Sequence, residues 1–122
     1  MQGMTPEEHE RYDAVRAYLD EYRKAVEYER LCLNERNVQG EAPAAFNARQ
    51  SKIVDEMKGK SLAAIDLLRV GLGRTIVEMR HIDLYCWRYI EKKTQMCRTT
   101  IYKYYRDAIF DLYQKMIDAN LI

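Results

Sequence analysis

A run of polar and aromatic side chains, MCRTTIYKYYRD at residues 96–107, has the composition of a surface that contacts a charged ligand. If the run is helical, arginine and threonine fill its first turn and tyrosines alternate with basic residues beyond it. Arginine can bridge two acceptors on a guanine edge, and threonine or lysine can meet phosphates. An ordinary amphipathic helix rich in tyrosine is the competing interpretation. The residues predicted to make such contacts are Arg98, Thr99, Thr100, Tyr102, Lys103 and Arg106, with Lys92 and Lys93 ahead of them.

Charge is unevenly distributed along the chain, although the formal net charge is only +1. Residues 1–60 carry 10 basic and 12 acidic side chains, whereas residues 61–122 carry 10 basic and 7 acidic ones. Between residues 80 and 106, seven basic side chains stand against two acidic ones, Asp83 and Glu91. Such a local excess indicates attraction to a polyanion. Charge alone is equally typical of a solvated helix face.

The sequence predicts neither an enzyme nor a metal site, and we expect no cofactor. No histidine, cysteine or serine has an evident base beside it, and Cys97 is expected to cap the helix that follows. The three cysteines, Cys32, Cys86 and Cys97, are an odd number with no CxxC pair. Adding His9 and His81 gives no closely spaced pair of zinc ligands.

Length and composition predict a single all-α protein. The chain has 122 residues, of which 48% are hydrophobic and 32% charged, and it contains only 5 glycines and 2 prolines. Alternation of the kind found in strands is scarce. The N-terminus is polar and acidic, unlike a secretory signal, and no apolar run approaches the roughly 20 residues of a membrane span. We therefore expect a cytoplasmic protein with no membrane contact.

The first helix is predicted by its capping residues. Thr5, Pro6 at the first helical position and Glu8 form a capping box. The apolar side chains that follow recur in steps of three and four over about 30 residues, which is typical of a helix that needs a packing partner. That partner could be the core of the same chain or a second copy. A homodimer would use Tyr12, Val15, Leu19, Tyr22 and Val26, with Leu33 farther along the same stripe.

Glycine and proline divide the rest of the chain. Gly40 and Pro43 predict a loop at residues 37–46, and a second helical pattern then runs from Ile53 to Leu68. VGLGR at residues 70–74 predicts a hinge, followed by short helices and a long last helix from about residue 97 to 120. The expected architecture is an N-terminal antiparallel helical hairpin at 1–70 and a second unit at 74–122. The inward stripe of the last helix is predicted as Ile101, Tyr104 or Tyr105, Ala108, Ile109, Leu112, Tyr113 and Met116.

The stretch IVEMRHIDLYCWRYIEKKTQMCRTTIYKYYRDAI, residues 76–109, resembles the helix-turn-helix of sigma-factor region four. It is most similar to the version in phage late-transcription regulators of the RinA and ArpU kind. Residues 78–81 match a Glu–Leu–Arg–Tyr type sequence that ends an apolar helix, and Trp87 and Ile90 match a Trp–x–x–Ile helix. Met96, Cys97 and Thr100 match the Met–Ser–x–x–Thr turn that opens the recognition helix. Residues 102–109 match the Tyr- and Arg-rich recognition helix.

The resemblance implies a C-terminal helix-turn-helix that binds double-stranded promoter DNA, with RNA polymerase as a further partner, in the cytoplasm of a bacterial host. Three residues depart from the family pattern: Glu91 replaces a small residue, Thr94 a leucine, and Gln95 the turn glycine. A turn without glycine requires another residue to take the strained backbone geometry, or a looser connection. The alternative is a small phage-encoded interaction module or inhibitor that targets a host protein and does not bind DNA.

Overall fold

The computed structural model describes residues 3–38 and 48–122, and these residues form helices joined by turns, as the all-α prediction requires. The predicted loop at 37–46 lies outside the described residues except for 37 and 38, which still belong to a helix. No helix in the described ranges combines the length and apolar character needed to cross a bilayer. The helices are α1 (Pro6–Leu19), α2 (Glu21–Val38), α3 (Ala48–Ile65), α4 (Leu72–His81), α5 (Trp87–Thr94) and α6 (Arg98–Asp118).

The capping box at the start of α1 is confirmed. The Glu8 backbone N–H donates to the Thr5 hydroxyl over 3.1 Å, and the Glu8 carboxylate accepts from the Thr5 N–H over 3.0 Å. Pro6 occupies the first turn of the helix, where an N–H would have no helical partner. The hydrogen bond from the Thr5 backbone also holds the pKa of Glu8 below its ordinary value.

The single helix of about 30 residues predicted at the N-terminus is interrupted at Asp20, so that α1 ends at Leu19 and α2 begins at Glu21. The interruption coincides with a hydroxyl group that enters from α3. Ser61 is fully buried, and its hydroxyl donates to the Leu19 carbonyl over 3.1 Å and lies 3.4 Å from the carbonyl oxygen of Tyr18. Carbonyls inside a helix normally accept from the N–H four residues later. Ser61 therefore supplies a donor from outside the helix at the point where the helix is interrupted.

We expect Ser61→Ala to lower the free energy of unfolding by about 1–2 kcal/mol, because the buried Leu19 carbonyl loses its donor and alanine's better helix propensity offsets only part of the cost. Urea unfolding followed by circular dichroism measures the change. Ser51→Ala, in the same helix but partly exposed, should shift stability by less than about 0.5 kcal/mol. Equal effects of the two variants would contradict this role for Ser61.

The central residues of the predicted homodimer seam face the inside of the chain. Val15 and Leu19 are fully buried and belong to the main hydrophobic cluster. The Tyr12 ring meets the Tyr105 ring of α6 edge-on, with centroids 6.1 Å apart. This part of the stripe thus packs within one chain, as the other interpretation held. Tyr22 and Val26 are half-buried, and a homodimer stays a prediction. The side chain of Leu33 lies outside the described residues.

One hydrophobic cluster joins α1, α3, α4, α5 and α6. The prediction for the inner side of α6 is confirmed, and it is Tyr105, not Tyr104, that enters the core. Tyr113 packs against the cluster and is half-buried. The cluster contains residues from both sides of the predicted boundary at 70–74, and the assignment of separate roles to 1–70 and 74–122 stays a prediction. The buried residues of α6 are Ile101, Tyr105, Ala108, Ile109, Leu112 and Met116.

The helices α2 and α3 pack along each other beyond this cluster. Gln50 contacts Cys32 over 3.6 Å, and the Lys58 ammonium lies 3.5 Å from the Glu29 carboxylate. The two helices are therefore antiparallel. Ala25 and Val54 are buried in this part of the molecule.

Gly73, in the first turn of α4, marks a close approach of α4 to α6. A Cβ atom at this position would lie 3.2 Å from the Ala108 Cβ and 3.5 Å from the Tyr104 carbonyl oxygen. The first distance is shorter than an ordinary van der Waals contact between carbons. A side chain at position 73 would therefore require Ala108 and this part of α6 to move by a few tenths of an ångström.

Arg74 ties the preceding turn, in the predicted hinge region, to α4. Its guanidinium donates to the Leu68 carbonyl over 2.9 Å, to the Asp66 carboxylate over 2.9 Å and to the Glu78 carboxylate over 2.7 Å. Glu78 also raises the pKa of Arg74. These hydrogen bonds fix the direction in which α4 leaves α3.

Candidate functional site

The connection between α5 and α6 depends on one uncommon backbone conformation. Gln95 follows α5 with φ 57° and ψ 31°, in the left-handed region, and its N–H donates to the Glu91 carbonyl over 2.8 Å. Residues other than glycine seldom adopt this conformation, because their Cβ crowds the neighbouring carbonyl. The residue that takes the strained geometry is thus Gln95 itself, and the connection remains short.

Apolar and aromatic contacts fix α5 against α6. Ile90 of α5 and Ile101 of α6 are both fully buried. The Trp87 ring lies edge-on to Tyr102 and to Tyr105, with centroids 4.9 Å apart in each pair. Perpendicular ring contacts of this kind are favourable because the positive ring edge meets the negative ring face. The two helices are therefore held in one orientation.

The first turns of α6 carry an exposed polar face. Arg98, Thr99 and Lys103 are exposed, and 39% of the Tyr102 surface is accessible. Residues spaced three and four apart share one side of a helix, so Thr99, Tyr102 and Lys103 face the same way. Lys92 and Lys93 are exposed in the last turn of α5. Six of the eight predicted contact residues are thus exposed, whereas Thr100 and Arg106 are half-buried.

Glu91 and Arg98 form an ion pair across the turn. The Arg98 Nε donates to Oε1 of Glu91 over 3.2 Å, and Nη2 donates to Oε2 over 3.1 Å. Glu91 is half-buried, so the guanidinium supplies the partner that a carboxylate needs near a helix contact. The pair also reduces the positive charge at the start of α6. Next to it, the Thr94 hydroxyl donates to the Ile90 carbonyl over 2.7 Å.

Cys97 occupies the N-cap position of α6, as predicted, but its side chain forms no capping hydrogen bond to the backbone. Its sulfur instead contacts the Thr100 hydroxyl over 3.1 Å. This contact lowers the pKa of the exposed Cys97 thiol. Thr100 is therefore engaged within its own helix turn.

Two other arginines counted in the basic excess are turned toward the fold. Arg106 is half-buried and contributes to lowering the pKa of Glu8 on α1, after the larger effect of the Thr5 hydrogen bonds. Arg80 donates to the Tyr85 carbonyl over 3.0 Å, and its guanidinium carbon lies 4.9 Å from the centroid of the Trp87 ring. The exposed basic surface is therefore smaller than the sequence count indicates.

A buried polar group that the sequence did not reveal connects three parts of the chain. Nε2 of His81 lies 2.6 Å from the Tyr105 hydroxyl, and Nδ1 lies 3.6 Å from the Asp20 carboxylate. Burial lowers the pKa of His81 to about 4 and raises the pKa of Tyr105. The neutral imidazole that carries its proton on Nδ1 accepts from Tyr105 and donates toward Asp20.

The cysteines and histidines considered above as zinc ligands do not form a metal-binding group in the described part of the chain. Among the residues that the structure describes, no three side chains of His, Cys, Asp or Glu lie where they could hold one metal ion. Cys32, Cys86 and Cys97 are all free thiols.

Comparison of the chain with protein-family models, with curated proteins and with solved structures gave no match. The function proposed below therefore rests on the residues and geometry of this chain and on the resemblance of residues 76–109 described above.

Proposed function

We propose that this chain is a phage-type transcriptional regulator that binds double-stranded promoter DNA, with α5, the turn at 95–97 and α6 acting as a helix-turn-helix. α2 and α3 would form the helical hairpin ahead of it. In such a motif, the N-terminal residues of the second helix enter the major groove. The observation that carries the proposal is the exposed polar face of α6, which begins directly after the left-handed turn at Gln95.

The exposed side chains suit different parts of a duplex. Arg98 can bridge the two acceptors of a guanine edge once it exchanges Glu91 for the base. Thr99 can donate to a base or a phosphate, and Tyr102 can add a hydrogen bond to a phosphate. Lys103, together with Lys92 of α5, would contact phosphates and supply affinity that does not depend on the DNA sequence.

A second function, a module that binds another protein and not DNA, is favoured by one specific observation. Tyr89, Tyr102 and Tyr104 expose 43%, 39% and 43% of their surfaces, while Glu91 offsets the charge of Arg98. Tyrosine is enriched in protein interfaces because one end of its ring is apolar and the other is polar. RNA polymerase or another host protein would be the kind of partner.

The salt dependence of binding separates the two functions. Duplexes selected from a random pool are bound to the full chain at about 50 mM and about 200 mM salt, and the affinities are compared. If the three exposed lysines, Lys92, Lys93 and Lys103, all contact phosphates, affinity should fall by about 40-fold over this range.

A duplex that fails to bind at the lower salt concentration would contradict the proposal and favour the protein-binding alternative. As a control, the affinity of the chain for a captured host protein is measured at the same two salt concentrations. An interface led by tyrosine should change far less with salt, because exposed charges contribute little to it.

A further inference from the structure

A cleft lies where the end of α1 and the start of α2 meet the end of α4. Its volume is about 230 Å³, smaller than the range of about 300–1,000 Å³ typical of sites for drug-sized ligands. A small ion or a single functional group therefore fits it better than a large organic molecule. The residues that line it are Arg16, Asp20, Arg23, Arg80, His81 and Leu84.

The charges around this cleft are mostly positive. Three guanidinium groups, those of Arg16, Arg23 and Arg80, stand against the single carboxylate of Asp20. Burial keeps the pKa of His81 at about 4, so its imidazole is neutral at pH 7. A concave surface lined by one sign of charge concentrates ions of the other sign. The lining thus favours an anion.

Two of the guanidinium groups are held in place by aromatic rings. The guanidinium carbon of Arg16 lies 5.3 Å from the centroid of the Tyr12 ring, and that of Arg80 lies 4.9 Å from the centroid of the Trp87 ring. A cation over an aromatic ring is attracted by the negative ring face, and the N–H donors of the guanidinium that do not face the ring can meet an oxyanion. A guanidinium has five N–H donors, so the one hydrogen bond from Arg80 to the Tyr85 carbonyl leaves donors for a ligand.

Arg23 lies at the more exposed side of the cleft. Its side chain is 49% exposed and forms ion pairs with Asp20 at 3.7 Å and with Glu27 at 3.2 Å. Exposed pairs of this kind contribute little to stability, because water screens both charges. Arg23 can therefore exchange its ion pairs with Asp20 and Glu27, at little cost in stability, for contacts with an anion that carries more than one negative charge.

We infer that the cleft between α1, α2 and α4 binds a phosphate group through Arg16, Arg23 and Arg80, supplied either by the backbone of a duplex or by a small phosphoester. Arginine matches phosphate particularly well, because its fork donates two parallel hydrogen bonds to two oxygens of one group. None of the lining residues belongs to the exposed face of α6. The inference therefore does not depend on the proposed role of α6 in DNA binding.

Calorimetric titration of the full chain with inorganic phosphate and with pyrophosphate, in chloride of matched ionic strength, tests the cleft directly. Saturable binding with one site is expected. Arg16→Gln combined with Arg23→Gln should weaken it by about tenfold or more, because two charge-assisted contacts are lost. Arg23→Gln alone should weaken it severalfold without affecting the fold, since the Arg23 side chain is 49% exposed. Lys103→Gln on α6 should leave it unchanged.

A second set of measurements identifies the source of the phosphate. If the duplex supplies it, the Arg16→Gln/Arg23→Gln variant should also lose duplex affinity and show a shallower dependence on salt. If a small phosphoester supplies it, duplex affinity should be unchanged while pyrophosphate binding is lost. The inference is overturned if the unmodified chain binds neither anion above the chloride control, or if the variant binds pyrophosphate as tightly as the unmodified chain. If the Lys103→Gln variant loses affinity for DNA but keeps its affinity for pyrophosphate, the cleft and the exposed face of α6 are separate binding sites.

Discussion

The double variant Arg98→Ala/Lys103→Ala should bind duplex DNA about 100-fold more weakly than the unmodified chain, with no change in its helical circular dichroism. A bidentate contact from arginine to guanine is worth about 1–3 kcal/mol, and one phosphate contact adds roughly 1 kcal/mol or less at moderate salt. Together they amount to about 3 kcal/mol, or roughly two factors of ten in affinity. Both side chains are exposed, so their removal should spare the fold.

The ion pair between Glu91 and Arg98 provides the matched control. Glu91→Gln keeps the shape of the side chain but removes its charge, which releases Arg98 and eliminates a repulsion toward phosphate. We expect this variant to bind the duplex about 3- to 10-fold more tightly. The gain should disappear when Arg98→Ala is added, because the two residues act through one contact. If the double variant at 98 and 103 binds DNA normally, α6 does not form the DNA contacts.

Lowering the pH from 6.5 to 4 should reduce the free energy of unfolding by about 3 kcal/mol through His81 alone. The folded chain holds the pKa of His81 at about 4, against an ordinary value of 6.5. Between these pH values, the unfolded chain binds a proton that the folded chain does not, so stability falls as the pH falls. Above about pH 7.5 both states are almost fully neutral at this residue, and its contribution no longer changes.

The sign of this effect follows from the groups around the imidazole. Burial disfavours the charged form most strongly, and Arg80 and Arg16 add to that effect by repulsion. Asp20 opposes them, and the Tyr105 hydroxyl donates to the nitrogen that would otherwise take the proton. An imidazole in these surroundings is more stable without its charge.

Urea unfolding at several pH values measures the loss, and His81→Gln is the matched variant. An amide can accept from Tyr105 and donate toward Asp20 as the neutral imidazole does, but it does not titrate. The pH dependence between 6.5 and 4 should therefore be shallower in His81→Gln, whatever its stability at pH 7. An unchanged slope would show that other groups cause the loss. A direct NMR titration of His81 gives its pKa independently.

Local signals predicted part of the fold correctly. Thr5, Pro6 and Glu8 specified the start of α1 because a capping box acts over four consecutive positions. The inward residues of α6 followed from helical spacing, although spacing could not decide between Tyr104 and Tyr105, which are adjacent. The interruption at Asp20 was missed, and the Ser61 hydroxyl that coincides with it lies on another helix.

Long-range contacts also explain what was wrong or unforeseen at the candidate sites. The stripe through Val15 and Leu19 was compatible with a dimer or with a core, and the burial of both residues in a cluster of five helices could not be read from the stripe itself. The pairing of Glu91 with Arg98 turned a departure from the family pattern into a satisfied contact. Nothing in the sequence places His81 beside Tyr105, because residues so far apart carry no local pattern.

The contact between Gly73 and Ala108 has a consequence for evolution and for design. It lies near the midpoint of α6, about ten residues, or roughly 15 Å, from the helix start. A larger residue at 73 would require this part of α6 to move by at least a few tenths of an ångström. If α6 contacts DNA as proposed, a mutation at position 73 should change binding while every exposed residue at the start of α6 is preserved.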